Sequence, residues 1–298
     1  MLTRRLSLAA ALACAVTPVT AQEKLPVVAT FSILGDFVKN VGGKRIALTT
    51  LVGPDGDAHV YSATPADAKN VAEAKIVFTN GLGFEGWMER LVKASGTKAM
   101  VVAATKGVRA RRAAGGQGKD HDDELDPHAW QSVANAKIYV ANIRDALIKA
   151  DAAGKAEYEG NAVAYLAELD GLDREIRTAA AGIAPARRKV ITSHDALAYF
   201  QADYGIQFIS PQGVSTESEA SARDVARIIR QIRAQKIPAV FLENVSDPRL
   251  VKRIADETGA KIGGTLFSDA LSDAKGPAAT YIDMMRHNLR QFAAALMS

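Results

Sequence analysis

The fold of this 298-residue chain is decided by residues 156–182, which read AEYEGNAVAYLAELDGLDREIRTAAAG. The stretch has no strand signal, and its apolar side chains recur at helical spacing, so it predicts one long helix. These apolar positions are Tyr158, Val163, Tyr165, Leu166, Leu169, Leu172 and Ile176. On both sides of the stretch, short β-rich runs alternate with helical patterns. The helix is therefore predicted to join two α/β lobes.

Strand candidates before the long helix are 25–31, 46–52, 75–80 and 99–103. Those after it are 189–192, 206–209, 239–242 and 261–266. Strands that alternate with helices indicate βαβ units and mainly parallel sheets. Thr64, Pro65 and Asp67 supply a helix start, with a capping hydroxyl, a first-turn proline and a carboxylate at the third position. We therefore predict an α/β protein with a ligand cleft between its two lobes.

The chain begins with the three parts of a signal peptide. Arg4 and Arg5 form a basic start, residues 6–16 form an apolar run, and Val19-Thr20-Ala21 offers a cleavage site. Cleavage after Ala21 is favoured over lipid attachment at Cys14, because the apolar run before that cysteine is short. The arginine pair leaves Sec and twin-arginine export both open. We expect a periplasmic protein whose mature form has no cysteine.

The composition is that of an ordinary globular protein. Hydrophobic residues make up 48% of the chain and charged residues 23%, which excludes a disordered chain, a collagen-like fibre and a disulfide-stapled miniprotein. The net charge of +4 is slight, so nucleic-acid binding is not expected. The length suits two domains. The predicted division is a signal peptide at 1–21, an N-terminal α/β lobe at 22–155, a connecting helix at 156–184 and a C-terminal α/β lobe at 185–298.

Histidine is the informative residue type. His59, His128 and His194 each follow a predicted strand or occupy a turn, and Asp269 lies at a strand end. Imidazoles and a carboxylate form the ligand set expected for a cation such as Zn²⁺. A single loop histidine is more often solvated than metal-bound, and long-range spacing is a weaker signal than a local motif. His287 falls on the polar side of the C-terminal helix and is predicted to be a surface residue.

Six segments make the chain resemble the zinc- and manganese-binding proteins of ABC importers, the cluster A-I solute-binding family. They are GDAHVYSATPADA (56–68), NGLGFEGWMERL (80–91), DPHAWQSVANAKIY (126–139), TSHDALAYFQADYGI (192–206), AVFLENVSDPRLVKRIADETGAKI (239–262) and LFSDAL (266–271). The resemblance spans essentially the whole mature chain. It implies two α/β lobes bridged by one long rigid helix, with the metal site in the interlobe cleft. The resemblance implies an ABC permease of the inner membrane as the partner and allows a metallochaperone as a further partner. We expect the protein to be a monomer.

Carried over by motif, the resemblance implies four metal ligands, which are His59, His128, His194 and Asp269. Manganese-binding relatives tend to have Glu at the third of these positions, where zinc-binding members have His. Three imidazoles and one carboxylate also suit Zn²⁺ better than the harder Mn²⁺. The predicted function is capture of Zn²⁺ for import, with Mn²⁺ or Fe²⁺ as the alternative cargo. A zinc-dependent hydrolase is the alternative of another class, but no HExxH or GxSxG motif is present, so an enzyme is not expected.

Many zinc-binding members of the family carry a His-rich loop before the second ligand. The corresponding stretch, 109–125, reads RARRAAGGQGKDHDDEL and has one histidine. It is either a weak accessory metal site or an ordinary charged loop, with candidate residues Asp120, His121, Asp122, Asp123 and Glu124. Metal-bound imidazoles usually donate their second N–H to a carboxylate or carbonyl. Asp57 and Asp195 are the carboxylates closest in sequence to His59 and His194.

Overall fold

The computed structural model describes residues 23–113 and 124–297. The predicted signal peptide, including Cys14, lies outside these ranges, as do Asp120, His121, Asp122 and Asp123 of the accessory loop. Each helix in the described ranges is too short or too polar to cross a membrane.

The N-terminal lobe is built on a parallel sheet of four strands. These are β1 (Leu25–Phe31), β2 (Ile46–Val52), β3 (Ile76–Thr79) and β4 (Met100–Ala103), in the order β2-β1-β3-β4. The helices between them are α1 (Ser32–Gly42), α2 (Pro65–Glu73) and α3 (Met88–Ser95). All four residues of β3 are buried, as expected for a parallel strand covered on both faces. The predicted start of α2 is confirmed, because Thr64 and Asp67 form a reciprocal capping box.

Two long helices follow the first sheet. A short antiparallel pair, β5 (Arg111–Arg112) with β6 (Leu125–Asp126), precedes them. The helices are α4 (Val133–Ala150) and α5 (Lys155–Gly182). The 28 residues of α5 span about 42 Å at the usual rise of 1.5 Å per residue. This confirms the predicted long helix, although Val163, one of its predicted apolar positions, is 68% exposed.

The C-terminal lobe repeats the layout of the first. Its strands are β7 (Lys189–Ile191), β8 (Gln207–Ile209), β9 (Ala239–Glu243) and β10 (Lys261–Leu266), all parallel, in the order β10-β9-β7-β8. Its helices are α6 (Ala198–Tyr204), α7 (Ala222–Gln235), α8 (Pro248–Thr258) and α9 (Tyr281–Leu296). In both sheets the first strand lies between the second and third, and the fourth lies beyond the third. The predicted α/β fold with two parallel sheets and a long helix is confirmed.

One large core joins the two lobes. It includes buried residues from β1, α1, α4, α5, α6 and α9, together with one face of the second sheet. A smaller core lies on the other face of that sheet, under α7 and α8. Neighbouring strand residues take part in different cores, because side chains alternate across a strand. Thus Phe241 belongs to the large core and Val240 to the small one.

Candidate metal centre

The four predicted ligand residues occupy loops that follow strands. His59 comes after β2, beyond a tight turn in which the Gly56 N–H donates to the Gly53 carbonyl at 3.2 Å. His194 is the third residue after β7, and Asp269 is the third residue after β10. His128 follows β6 and begins a short 3₁₀ turn over residues 129–131. Two of these loops belong to each lobe.

The four side chains meet in one buried cluster. His59, His128, His194 and Asp269 each offer an atom within 4.8 Å of the others. The Asp269 carboxylate lies 3.0 Å from Nε2 of His194, 3.4 Å from Nε2 of His59 and 3.5 Å from Nε2 of His128. Three imidazole nitrogens therefore face one carboxylate, with both lobes contributing.

Two of the histidine rings are held from behind by buried carboxylates. Asp126 Oδ1 accepts hydrogen bonds from the His128 backbone N–H at 2.9 Å and from its ring Nδ1 at 2.8 Å. Glu243 Oε2 lies 2.7 Å from Nδ1 of His194, and its Oε1 accepts the backbone N–H groups of Ser193 and His194 at 2.6 and 3.1 Å. Carboxylates in these positions assign the proton to Nδ1 and leave Nε2 for a cation.

For His59 and His194, the ring contacts differ from what the carboxylates closest in sequence suggested. Asp57 accepts the backbone N–H of His59 at 2.9 Å rather than a ring N–H. The ring of His194 faces Glu243, while the backbone N–H of its neighbour Asp195 donates to the Gly213 carbonyl at 3.0 Å. Glu243 is far from His194 in sequence, so sequence distance did not indicate it. It lies near His194 because β9 ends at Glu243 and pairs directly with β7. The only signal for it was its position at the end of the predicted strand 239–242.

His59 differs from the other two histidines. Within the described residues its Nδ1 has no carboxylate behind it, and its ring packs edge-on against Phe84 with the centroids 4.6 Å apart. The side chain of His59 is 5% exposed, whereas those of His128, His194 and Asp269 are 0% exposed. His59 is therefore the least shielded of the four.

The charges in the cluster shift one another's pKa values. Burial alone would lower the pKa of His128, but the Asp269 charge and the hydrogen bond to Asp126 outweigh it and raise that pKa to about 9. Burial would also lower the pKa of His194, but the charges of Glu243 and Asp269 raise it well above its usual value. Burial would raise the pKa of Asp269, yet the His194 and His128 charges hold it well below its usual range. The metal-free cluster therefore binds protons where a cation would lie.

The loop that carries Asp269 is fixed from the opposite lobe. Nε1 of Trp130 and Nε2 of Gln131 both donate to the Ser268 carbonyl, at 2.9 and 2.7 Å. Asp269 Oδ1 is buried and has no hydrogen-bond donor among the described residues. A buried carboxylate oxygen without a donor normally costs free energy, and a cation at this point would supply its missing partner. The cluster therefore fits a divalent metal ion.

Two further candidate residues in the described ranges, His287 and Glu124, lie outside the four-residue cluster. His287 is half-buried rather than fully at the surface, because its Nε2 lies 2.9 Å from the Thr265 carbonyl and its ring packs on Phe267. Glu124 is the one member of the predicted accessory cluster in the described ranges, and it is exposed. The structure therefore does not bring these residues into the four-residue cluster.

Residues 27–295 match the family model of the zinc-uptake complex component A, periplasmic. The chain belongs to the zinc/manganese substrate-binding protein family of ABC importers. Members of this family are metal-binding components of importers and not enzymes. The predicted family and the prediction of a non-enzyme are confirmed.

Relatives within the family have names that refer to different metals. The chain is 32% identical to the manganese-binding lipoprotein MntA of Halalkalibacterium halodurans, over 92% of this chain and 89% of the relative. It is 32% identical to the iron-binding protein YfeA of Yersinia pestis, over 90% and 85%. Its fold matches that of the periplasmic zinc-binding protein TroA from Treponema pallidum with a TM-score of 0.86 and 33% identity, over 92% of this chain and 99% of that one.

Proposed function

We propose that this protein captures Zn²⁺ outside the cytoplasmic membrane and delivers it to an inner-membrane ABC permease, with His59, His128, His194 and Asp269 as the ligands. The observation that carries the proposal is the convergence of three imidazole Nε2 atoms on one carboxylate in a buried cluster. Four protein ligands complete a tetrahedral zinc shell and leave no position for an activated water. That arrangement suits a carrier of the ion.

The choice of zinc over manganese or iron rests on ligand chemistry. Mn²⁺ prefers carboxylate, carbonyl and water oxygens. The four proposed ligands offer three imidazole nitrogens and one carboxylate. The names of the manganese-binding and iron-binding relatives make Mn²⁺ and Fe²⁺ the alternative cargoes. Zn²⁺ also exceeds both in affinity for a common set of nitrogen ligands.

Metal competition on purified protein tests the proposal. The mature chain, residues 22–298, is stripped with a chelator and titrated with Zn²⁺, Mn²⁺ and Fe²⁺ against a metal indicator. We expect one Zn²⁺ per chain and tighter binding than for the other two ions. His194→Ala should abolish stoichiometric zinc binding, while His287→Ala, a histidine outside the cluster, should leave it intact. Tighter binding of Mn²⁺ or Fe²⁺ would overturn the choice of zinc, and full zinc binding by His194→Ala would overturn the ligand set.

The compartment is part of the same proposal. We place the protein in the periplasm after cleavage at Ala21, not anchored through Cys14. Intact mass measurement of the exported protein distinguishes the two forms. A mass that begins at residue 22 supports the soluble form, and a lipid-modified mass that begins at Cys14 contradicts it.

A further inference from the structure

A cavity lies beside His59, at one edge of the four-residue cluster. This cavity of about 490 Å³ is lined by His59 and Phe84 from the N-terminal lobe and by Val214, Ser215 and Glu217 from the C-terminal lobe. The other three ligand side chains are fully buried. His59 is the least shielded of the four, and it is the one that lines this cavity.

A segment of the C-terminal lobe covers this side of the cluster. We call residues 213–217 the cap segment. The Gly213 carbonyl accepts the backbone N–H of Asp195, next to the ligand His194, at 3.0 Å. Val214 is buried, with 5% exposure. The cap segment is therefore fixed to the ligand loop of its own lobe.

The cap segment is also tied to the opposite lobe through one side chain. The Thr216 hydroxyl donates to Asp57 Oδ2 at 2.6 Å. The other oxygen of the same carboxylate, Oδ1, accepts the backbone N–H of His59 at 2.9 Å. Asp57 thus connects the cap segment directly to the backbone of His59. Hydrogen bonds to an ionised carboxylate are short and stronger than neutral ones.

We propose that Thr216 is a positioning residue for His59, acting through Asp57, and that it controls the rate at which the metal leaves through the adjoining cavity. Among the described residues, His128 and His194 have carboxylates behind their rings, whereas the His59 ring has none. The position of His59 therefore depends on its backbone, which Asp57 holds. Loss of the Thr216 bond frees the Asp57 carboxylate to turn, and the first ligand becomes easier to detach. This inference deepens the proposed function and rests on it.

Three variants of the cap region test this role. Thr216→Val removes the hydroxyl at nearly constant volume, Thr216→Ser retains a hydroxyl, and Ser218→Ala removes a nearby exposed hydroxyl that has no hydrogen bond to the described part of the other lobe. Zn²⁺ dissociation is followed by stopped-flow chelator capture. We expect Thr216→Val to release zinc about three to ten times faster, as the loss of one charge-assisted hydrogen bond allows. Thr216→Ser and Ser218→Ala should match the wild type.

A spectroscopic readout separates positioning from general destabilisation. Co²⁺ replaces Zn²⁺ in such sites, and its visible d–d absorption reports the geometry of the ligands. The Co²⁺ spectrum of Thr216→Val should change in shape, whereas that of Thr216→Ser should match the wild type. Equal zinc release by Thr216→Val and wild type, or equally fast release by Thr216→Ser and Thr216→Val, would overturn the inference. Failure of the wild type to bind any divalent metal would instead refute the proposed function.

The route itself has a separate test. Glu217 lines the cavity beside His59, while Glu219, two residues on, lines a different cavity, together with Thr216 and Asp57. A carboxylate at the mouth attracts a cation and raises its association rate, and salt screens this effect. Glu217→Gln should slow Zn²⁺ association about twofold at low salt and much less at high salt, and Glu219→Gln should not. Equal association rates for the two variants would contradict this route.

Discussion

Asp269 sets the charge balance of the metal site at the scale of single residues. Its carboxylate faces three imidazoles, and it stays ionised because His194 and His128 offset its burial. With the metal absent, protons on the two shielded histidines supply the positive charge. Metal binding must displace those protons, because an imidazole nitrogen binds a metal only when deprotonated.

Metal affinity should therefore continue to rise above the pH at which ordinary histidines have lost their protons. The pKa of His128 is raised to about 9, and that of His194 is raised as well. At pH 7 we expect release of about two protons per Zn²⁺, measured by calorimetry in buffers of different ionisation enthalpy. Affinity should keep rising from pH 6.5 to about 9. Affinity that is level above pH 7 would contradict the raised pKa values.

The same pKa shift makes the stability of the metal-free protein depend on pH. A histidine whose folded-state pKa is raised adds stability that is fully present below its unfolded pKa of about 6.5. That contribution is lost as pH rises through the folded value of about 9 for His128. The melting temperature of the chelator-treated protein should thus fall between pH 6.5 and 9. His128→Gln should flatten the decline, and an unchanged slope in this variant would refute the assignment.

Glu243 should matter for affinity although it does not face the metal position. Its carboxylate contacts the His194 ring and two backbone N–H groups. Loss of such an outer partner typically weakens metal binding 10- to 100-fold. We expect Glu243→Gln to reduce zinc affinity by about this factor in the competition titration. Glu257→Gln, on the exposed side of α8 in the same lobe, is the control, and equal affinities of the two variants would exclude the role.

The long helix α5 shows how local chemistry and packing combine at the scale of elements. Its buried stripe includes Tyr158, Tyr165, Leu172 and Ile176. Gly160 is exposed on the opposite side, and a Cβ at that position would meet no atom within 4 Å. Helix propensity rather than packing therefore decides the effect of a substitution at Gly160.

Gly160→Ala should raise the free energy of unfolding by about 0.5–1 kcal/mol, because alanine loses less backbone entropy in a helix. Gly263→Ala in β10 should lower it, since the added Cβ would lie 2.4 Å from Cε1 of Phe241. Urea unfolding of the metal-free protein measures both changes. Neither glycine touches the four ligands, so zinc affinity serves as the control. Destabilisation by Gly160→Ala would show that other groups pack against the exposed face of α5.

The elements that the sequence predicted are those with strong local signals. The β-rich runs, the capping box at Thr64 and the apolar stripe of α5 depend on neighbouring residues, and they form as expected. The pair β5 and β6 was not predicted, because two residues in each strand give no periodic pattern. Motif resemblance indicated the four candidate ligands. Their ring partners depend on strand pairing, which brings Glu243 to His194 across 49 residues of sequence.

The two cores divide the whole molecule into parts of different expected stability. The large core runs through both lobes and α5, whereas the core under α7 and α8 has nine buried residues. Small buried clusters open locally at lower free energy than a main core does. The limits of the lobes, 22–155 and 185–298, remain a proposal about folding units, and the shared core shows that the lobes are packed together.

Hydrogen exchange of the native protein should reveal this division. Amides of α7 and α8 should exchange faster than those of α5 and α9 under the same conditions. Ile232→Ala, in the small core, should accelerate exchange in α7 and α8 and leave α5 unchanged. Leu169→Ala, in the large core, is the matched variant and should affect both lobes. Uniform exchange in all four helices would show that the molecule opens as one cooperative unit.

The packing of α5 against both lobes has a mechanical consequence. Because the helix packs against elements of both lobes, the lobes have little freedom to swing apart, and only small relative movements of the lobes reach the four-residue cluster. Zinc bonds to imidazole are about 2.0–2.1 Å long and tolerate roughly 0.2 Å of error. A relative shift of the two lobes by about half an ångström would already take a ligand out of bonding range. On the proposed function, release of the ion therefore needs only a small relative movement of the two lobes.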